Sequence, residues 1–143
     1  MKIDAIKNGI VIDHIEAGKG RKVYELLGLE ELGCTVALFK NLPSKKTGKK
    51  DIIKIDADIE LDFEVLGYIA PETTVNIIKD EKIESKIRPE PPKFIKNVIK
   101  CKNPRCITTT ENYVAQKFKL VNKEKAEYAC EYCDQIHSAG TDF

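Results

Sequence analysis

Residues 101–133 read CKNPRCITTTENYVAQKFKLVNKEKAEYACEYC, which places four of the chain's five cysteines in two close pairs. Cys101, Cys106, Cys130 and Cys133 follow the spacing C-x4-C-x23-C-x2-C. Two short loops that each offer two thiolates suit a tetrahedral metal site with all four positions filled, and zinc is the ion that prefers such a site. Asn103-Pro104 favours a turn that brings both sulfurs of the first pair to one ion. No position is left for water or substrate, so one structural Zn2+ per chain is expected, and the module around it should not fold without metal. Between the pairs, residues 113–121 (YVAQKFKLV) alternate as a strand, and 125–129 (KAEYA) supply a hairpin partner across a turn at 122–124. His137 lies four residues past Cys133; four sulfurs suffice, and a non-ligand role is favoured. Buried structural cysteines or redox pairs are the competing reading. A thiol oxidoreductase built on CEYC needs a low-pKa, accessible cysteine at a helix start, and it leaves the CKNPRC pair without a role. Cys34 sits apart after Gly33 and reads as a small buried hydrophobe.

Upstream of this module, residues 88–97 (RPEPPKFIKN) hold Pro89, Pro91 and Pro92. Proline fits neither a helix interior nor a central strand, so the segment is a fairly stiff extended connection and the expected domain boundary. Before it, apolar runs alternate with short helical stretches. Ile10, Val11, Ile12 and Ile15 form a β-branched strand after Gly9. Residues 21–29 carry Val23, Leu26, Leu27 and Leu29 at helical spacing, closed by Gly33. Residues 35–41 (TVALFKN) and 51–55 (DIIKI) read as antiparallel strands around a lysine-rich turn at 43–50. Residues 62–69 read as a helix with Phe63, Leu66 and Ile69 on one face. Residues 73–78 and 82–87 are strands around a turn at 79–81. The order is β-α-β-β-α-β with the last strand extended as a hairpin, the ferredoxin-like split βαβ pattern. The fold class is therefore α+β: an N-terminal ferredoxin-like βαββαβ domain and a small C-terminal β-rich zinc domain. Helices on one face of such a sheet leave the other face for a partner.

The totals agree with this division. A chain of 143 residues fits one ordinary domain or two small ones, and a piece below about 70 residues rarely has a sufficient core unaided. Basic and acidic residues number 24 and 23, a formal net charge of +1, so neither nucleic acid nor membrane is an expected partner on global charge. No run has the length of a signal peptide's apolar segment or a membrane span. A cytoplasmic protein is expected, and in a reducing compartment metal binding explains the cysteines better than disulfides do. A nucleic-acid-binding zinc ribbon is the alternative function, supported by the basic stretches at 45–50 and 93–102. It lacks a set of aromatic stacking residues.

GIVIDHI (9–15), NLPSKKTGKKDIIKI (41–55), YIAPETTVNII (68–78), SKIRP (85–89), CKNPRC and YACEYC occur in this order over essentially the whole chain. Together they resemble the regulatory chain of aspartate carbamoyltransferase. The resemblance implies a non-catalytic subunit, with an allosteric nucleotide-binding domain over 1–92 and a zinc domain over 93–143 that grips the catalytic chain. It further implies regulatory dimers joined to catalytic trimers in a heterododecamer. Such a chain tunes the condensation of carbamoyl phosphate with aspartate in pyrimidine biosynthesis, with CTP and UTP inhibiting and ATP activating. By resemblance, Asp13 takes ribose hydroxyls, His14 lies near the phosphates, Lys54 reaches ribose and base, and Lys86 binds phosphate. Ile3, Asp4 and Ile6 fall on the opening segment of the pocket, and Asn76, Ile78 and Ile83 on its last strands. The residues themselves give a plainer reading. Asp13-His14 is a strand end, Lys54 a solvent face, Lys86 one lysine among many, and the isoleucines are core; no phosphate loop or glycine fingerprint is present. Asn103 to Arg105, Glu111, Asn112 and Tyr113 are candidate contacts to the catalytic chain. Glu81 stands where some members of the family carry a tyrosine.

Overall fold

The run GIVIDHIE forms the first strand, and its alternation decides which face of the sheet becomes the core. A computed structural model of the chain describes residues 6–45, 48–111 and 113–138. Strand β1 (Gly9–Glu16) leads into helix α1 (Gly20–Leu26), then β2 (Val36–Ser44), β3 (Gly48–Ile55), helix α2 (Phe63–Ile69), β4 (Thr74–Lys79) and β5 (Lys82–Ile87). The five strands form one antiparallel sheet in the order β2-β3-β1-β4-β5, which is the expected βαββαβ arrangement with its added hairpin. Ile10, Ile12, Ile53, Ile55 and Val75 pack with Val23, Leu29, Leu66 and Ile69, each 2% exposed or less. Val11, Lys54 and Asn76 are left on the opposite face.

Three register shifts interrupt the sheet, one of them on β5 opposite Ile77–Ile78; the two that flank β3 each contain a left-handed residue. Between Ile12 and Ile15, β1 gains one residue relative to β3, with His14 at φ 58°. The phase shifts there, and Ile15 returns to the core. Between Phe39 and Leu42, β2 bulges against β3, with Asn41 at φ 60°. Asp51 lies between the two bulges and is fully buried. Its Oδ2 accepts the N–H groups of Gly18 at 3.1 Å and Gly20 at 3.0 Å, and its Oδ1 accepts that of Asn41 at 2.9 Å. A Cβ on Gly20 would lie 2.7 Å from the same carboxylate oxygen, so only glycine lets the loop reach it. Asp51→Ala leaves three backbone donors without their acceptor and is expected to destabilise the chain by about 3 kcal/mol or more. A urea midpoint unchanged from the parent would contradict that role.

Asp62 caps α2 by accepting from the N–H groups of Glu64 and Val65. The helix packs against the proline segment so closely that a Cβ on Gly67 would collide with the carbonyl oxygen of Glu90. Beyond that segment, β6 (Phe94–Lys96), β7 (Lys117–Asn122), β8 (Glu127–Cys130) and β9 (Ile136–Ser138) make a second antiparallel sheet, in the order β6-β7-β8-β9. The short helix α3 (Ile107–Thr110) follows Cys106. Ile95, Phe118, Tyr128 and His137 are buried in this part. Tyr128 reaches across to the first domain, edge-on to Tyr68 with ring centroids 5.0 Å apart, and its hydroxyl donates to the Pro92 carbonyl at 2.7 Å. Burial pushes the Tyr128 phenol up to about 12, so it stays a donor at neutral pH.

Two local expectations are corrected, and three short elements were not anticipated. The helix expected over 21–29 ends at Leu26, because Gly28 turns left-handed at φ 69° and a 3-10 turn takes Leu29–Glu31. The strand expected over 113–121 starts only at Lys117, because Gln116 is drawn into a reciprocal pair with Asn97 and Tyr113 is 83% exposed. Strands β6 and β9 and helix α3 have too few residues to produce a periodic signal.

Candidate functional site

The four sulfurs singled out by spacing converge. Their Sγ atoms all lie within 4.8 Å of one another, with Cys101 and Cys133 at 3.6 Å and Cys106 and Cys130 at 3.7 Å. Zinc–sulfur bonds of about 2.3 Å in a tetrahedron put the sulfurs about 3.8 Å apart, so the cluster has room for one ion and is far from disulfide contact. Asn103 shapes the first loop: its Oδ1 accepts from Arg105 N–H at 3.0 Å and its carbonyl from Cys106 N–H at 3.1 Å. Cys130 ends β8, and Asp134, at φ 62°, folds back to donate to the Cys130 carbonyl at 2.8 Å. His137 stands apart from the cluster, edge-on to Phe118 at 4.9 Å. Cys34 packs against the core of the first sheet.

Electrostatics set the conditions for metal binding. Burial raises the Cys101 thiol to about 12, and the nearby sulfurs of Cys133 and Cys130 add to the rise. Burial also raises Cys130. Burial opposes ionisation of Cys106 as well, yet hydrogen bonds from the Thr108 hydroxyl and N–H bring it down to about 7. Cys106 is thus the thiol that ionises most readily near neutral pH, while burial favours the protonated form of Cys101 and Cys130. Metal affinity is therefore expected to rise about 100-fold or more per pH unit near pH 7, since two or more protons leave. A chelator-competition titration showing a slope below one proton would contradict this.

The second constellation lies on the open face of the first sheet. Lys54 pairs with Val11, Val11 with Asn76, and Asn76 with Lys86, a straight row across β3, β1, β4 and β5. Strand spacing puts the two lysine backbones about 14 Å apart. Ile78 pairs with Gly9 and with Ile83 in the next row. Ile78 is partly buried, and Ile83 is 54% exposed, so it is not the core residue that its apolarity suggested. The bulge on β1 brings Asp13 and His14 to the end of this face, where Asp13 Oδ1 pairs with Lys50 Nζ at 2.9 Å. Lys54 Nζ stands 5.7 Å from the Phe39 ring centroid. His14 Nδ1 and Asn76 Oδ1 are buried and find no hydrogen-bond partner among the described residues, as expected of groups that meet a ligand. Ile6 is partly buried. Ile3, Asp4 and Asn112 lie outside the described residues. Lys50 was missed in the sequence, although it shares the period-2 phase of Lys54 on the same strand.

Two family models divide the chain between them. The aspartate carbamoyltransferase regulatory chain's allosteric domain matches residues 1–90, and its metal binding domain matches residues 93–141. The chain belongs to the family of aspartate carbamoyltransferase regulatory chains. A regulatory chain from Clostridium botulinum is 56% identical over 140 residues, covering 98% of this chain and 96% of that one. The regulatory chain of Clostridium acetobutylicum is 55% identical over 137 residues, with 96% and 94% covered. That of Bifidobacterium longum is 45% identical over 135 residues, with 94% and 97% covered. In this regulatory chain the open face belongs to the allosteric domain and the four cysteines to the metal-binding domain. The role is regulatory rather than catalytic. Among the described residues no helix is long and apolar enough to cross a membrane.

Proposed function

We propose that this regulatory chain binds nucleoside triphosphates on the open sheet face and passes their effect to aspartate carbamoyltransferase catalytic trimers through a zinc-built domain. The row of Lys54, Asn76 and Lys86, closed at one end by Asp13 and His14, is the observation that carries the reading. It offers cations for phosphates, a carboxylate for ribose hydroxyls and amide groups for a base edge. Ile78, Ile83 and Ile6 give the base an apolar border, and Ile3 and Asp4 are assigned to the same pocket by family resemblance alone. CTP and UTP are the expected inhibitors and ATP the activator. Each acts only by binding one quaternary state better than the other.

In the C-terminal domain, four thiolates in a closed tetrahedral set favour zinc, with a structural role, at one ion per chain. The domains divide at 92/93, just after Pro92, the last proline of the connecting segment. The loop from Asn103 to Arg105, with Glu111 and Tyr113, presents polar groups toward the catalytic chain. The assembly is a heterododecamer of catalytic trimers and regulatory dimers, working in pyrimidine biosynthesis in the cytoplasm. Equilibrium binding of CTP, UTP and ATP to the zinc-loaded chain tests the effector reading. Saturable binding that weakens with salt is expected; no binding of any of the three at millimolar concentration would sink it.

A further inference from the structure

We infer that Gln116 is a positioning residue for the metal, its side-chain amide bridging the two halves of the CKNPRC element so that Cys101 and Cys106 stand ready to ligate. The inference rests on the zinc reading above. The two cysteine pairs are supported differently. Cys130 is anchored in a sheet, paired with Phe118 on β7, and its N–H donates to the Gln135 carbonyl at 3.0 Å. Cys101 and Cys106 flank a loop outside any strand, and four residues separate them rather than two, so this loop has more freedom to lose.

Gln116 supplies the missing anchor. Its Oε1 accepts the Cys101 N–H at 3.0 Å, and its Nε2 donates to the Thr108 carbonyl at 3.2 Å. Thr108 lies two residues past Cys106, with its hydroxyl 3.1 Å from the Cys106 sulfur. One amide thus fixes the backbone beside both sulfurs. The Gln116 backbone is itself held by Asn97: its N–H donates to Asn97 Oδ1 at 2.9 Å, and its carbonyl accepts the Asn97 N–H at 2.7 Å. A side chain that must both accept and donate at fixed positions has to be an amide; a carboxylate or thioether of similar size does half the task or none. Partners of this kind, one bond removed from the ligands, change metal affinity about 10–100-fold when lost.

The test is zinc release from the full chain to a chromogenic chelator. Gln116→Met removes both amide bonds at nearly constant volume, and Gln116→Glu keeps the acceptor for Cys101 N–H but loses the donor. The expected result is release about 10–100-fold faster for Gln116→Met, with Gln116→Glu in between. Weakened thiolate-to-metal charge-transfer bands are expected when Co2+ replaces zinc. Tyr128→Phe, which loosens the same domain without touching the loop, is the control and should release zinc within a few-fold of the parent. Release from Gln116→Met at the parent rate, with the parent's cobalt spectrum, overturns the inference. Equal acceleration by Tyr128→Phe also overturns it, since the effect would then be general loosening. A parent chain that retains no zinc is a separate result, and it removes the metal reading itself.

Discussion

Cys133→Ala, or removal of zinc by a chelator, is expected to unfold the C-terminal β-rich domain and leave the five-stranded sheet folded. The domain's core is small: among the described residues, Ile95, Thr108, Phe118, Tyr128, Ala129 and His137 are its buried members beside the cysteines. Its strands are short, two of them only three residues long. A unit of this size does not offset the conformational entropy of folding with apolar burial alone. Zinc bound by a full thiolate set contributes about 10–16 kcal/mol at neutral pH in comparable modules. Losing one of four ligands should weaken zinc binding by more than the roughly 10–100-fold typical of outer partners. Amide exchange protection should vanish in β7 and β8 and persist in β1 and β3. Uniform loss across both sheets would show instead that the domains fold as one unit, joined through Tyr68 and Tyr128.

Lys54→Ala is expected to weaken nucleotide binding about 10–100-fold, the loss of one charge-assisted hydrogen bond to a bound ligand. Lys54 stands in the middle of the open face, beside Val11 and Ala37 and above the Phe39 ring, so no neighbouring lysine can take its place without moving. Lys86→Ala, on the exposed edge strand, should cost less and should flatten the salt dependence of binding. The two substitutions lie on the solvent side of the sheet and should leave the unfolding free energy within about 0.5 kcal/mol of the parent. Isothermal titration with CTP and ATP measures the effect. Parent-like affinity in Lys54→Ala would move the effector site off this face.

How much of this was legible in the sequence differs between the two sites. The cysteine cluster was readable in full, because thiolate spacing states a metal's requirement directly and almost nothing else produces two such pairs. The β-α-β-β-α-β element order was readable too, and Ile10, Ile12, Ile53, Ile55 and Val75 follow the period-2 alternation that buries one face of the sheet. The open face was not readable from composition, because Lys54, Asn76 and Lys86 become one row only through the pairing of four strands. Only the family resemblance drew them together beforehand. The bulge at Asp13-His14 was also invisible: a left-handed histidine inside a β-branched run has no local signature. Lys50 escaped because a lysine-rich turn masks any single lysine with a partner. The Gln116 support escaped for a similar reason. An amide within an alternating run reads as the polar face of a strand, and only the structure shows that the strand begins after it.

Transmission between the sites requires a contact that both can bias. The bulge that presents Asp13 leads into the loop gripped by Asp51, and Lys19 at the end of that loop reaches Glu72 at 3.8 Å, just beyond α2. Tyr68 on α2 meets Tyr128, and Tyr128 holds Pro92. These are connected contacts. Their coupling is a matter for double-mutant cycles on effector response, with Lys19→Met and Tyr128→Phe as the informative pair.

On this reading the metal-built domain is what joins the chain to the catalytic subunit. Sedimentation of the zinc-loaded chain, mixed with aspartate carbamoyltransferase catalytic trimers with and without a chelator, tests it most directly. A large complex that dissociates when zinc is withdrawn is the predicted result. No complex with zinc present, or a complex indifferent to the chelator, would contradict it.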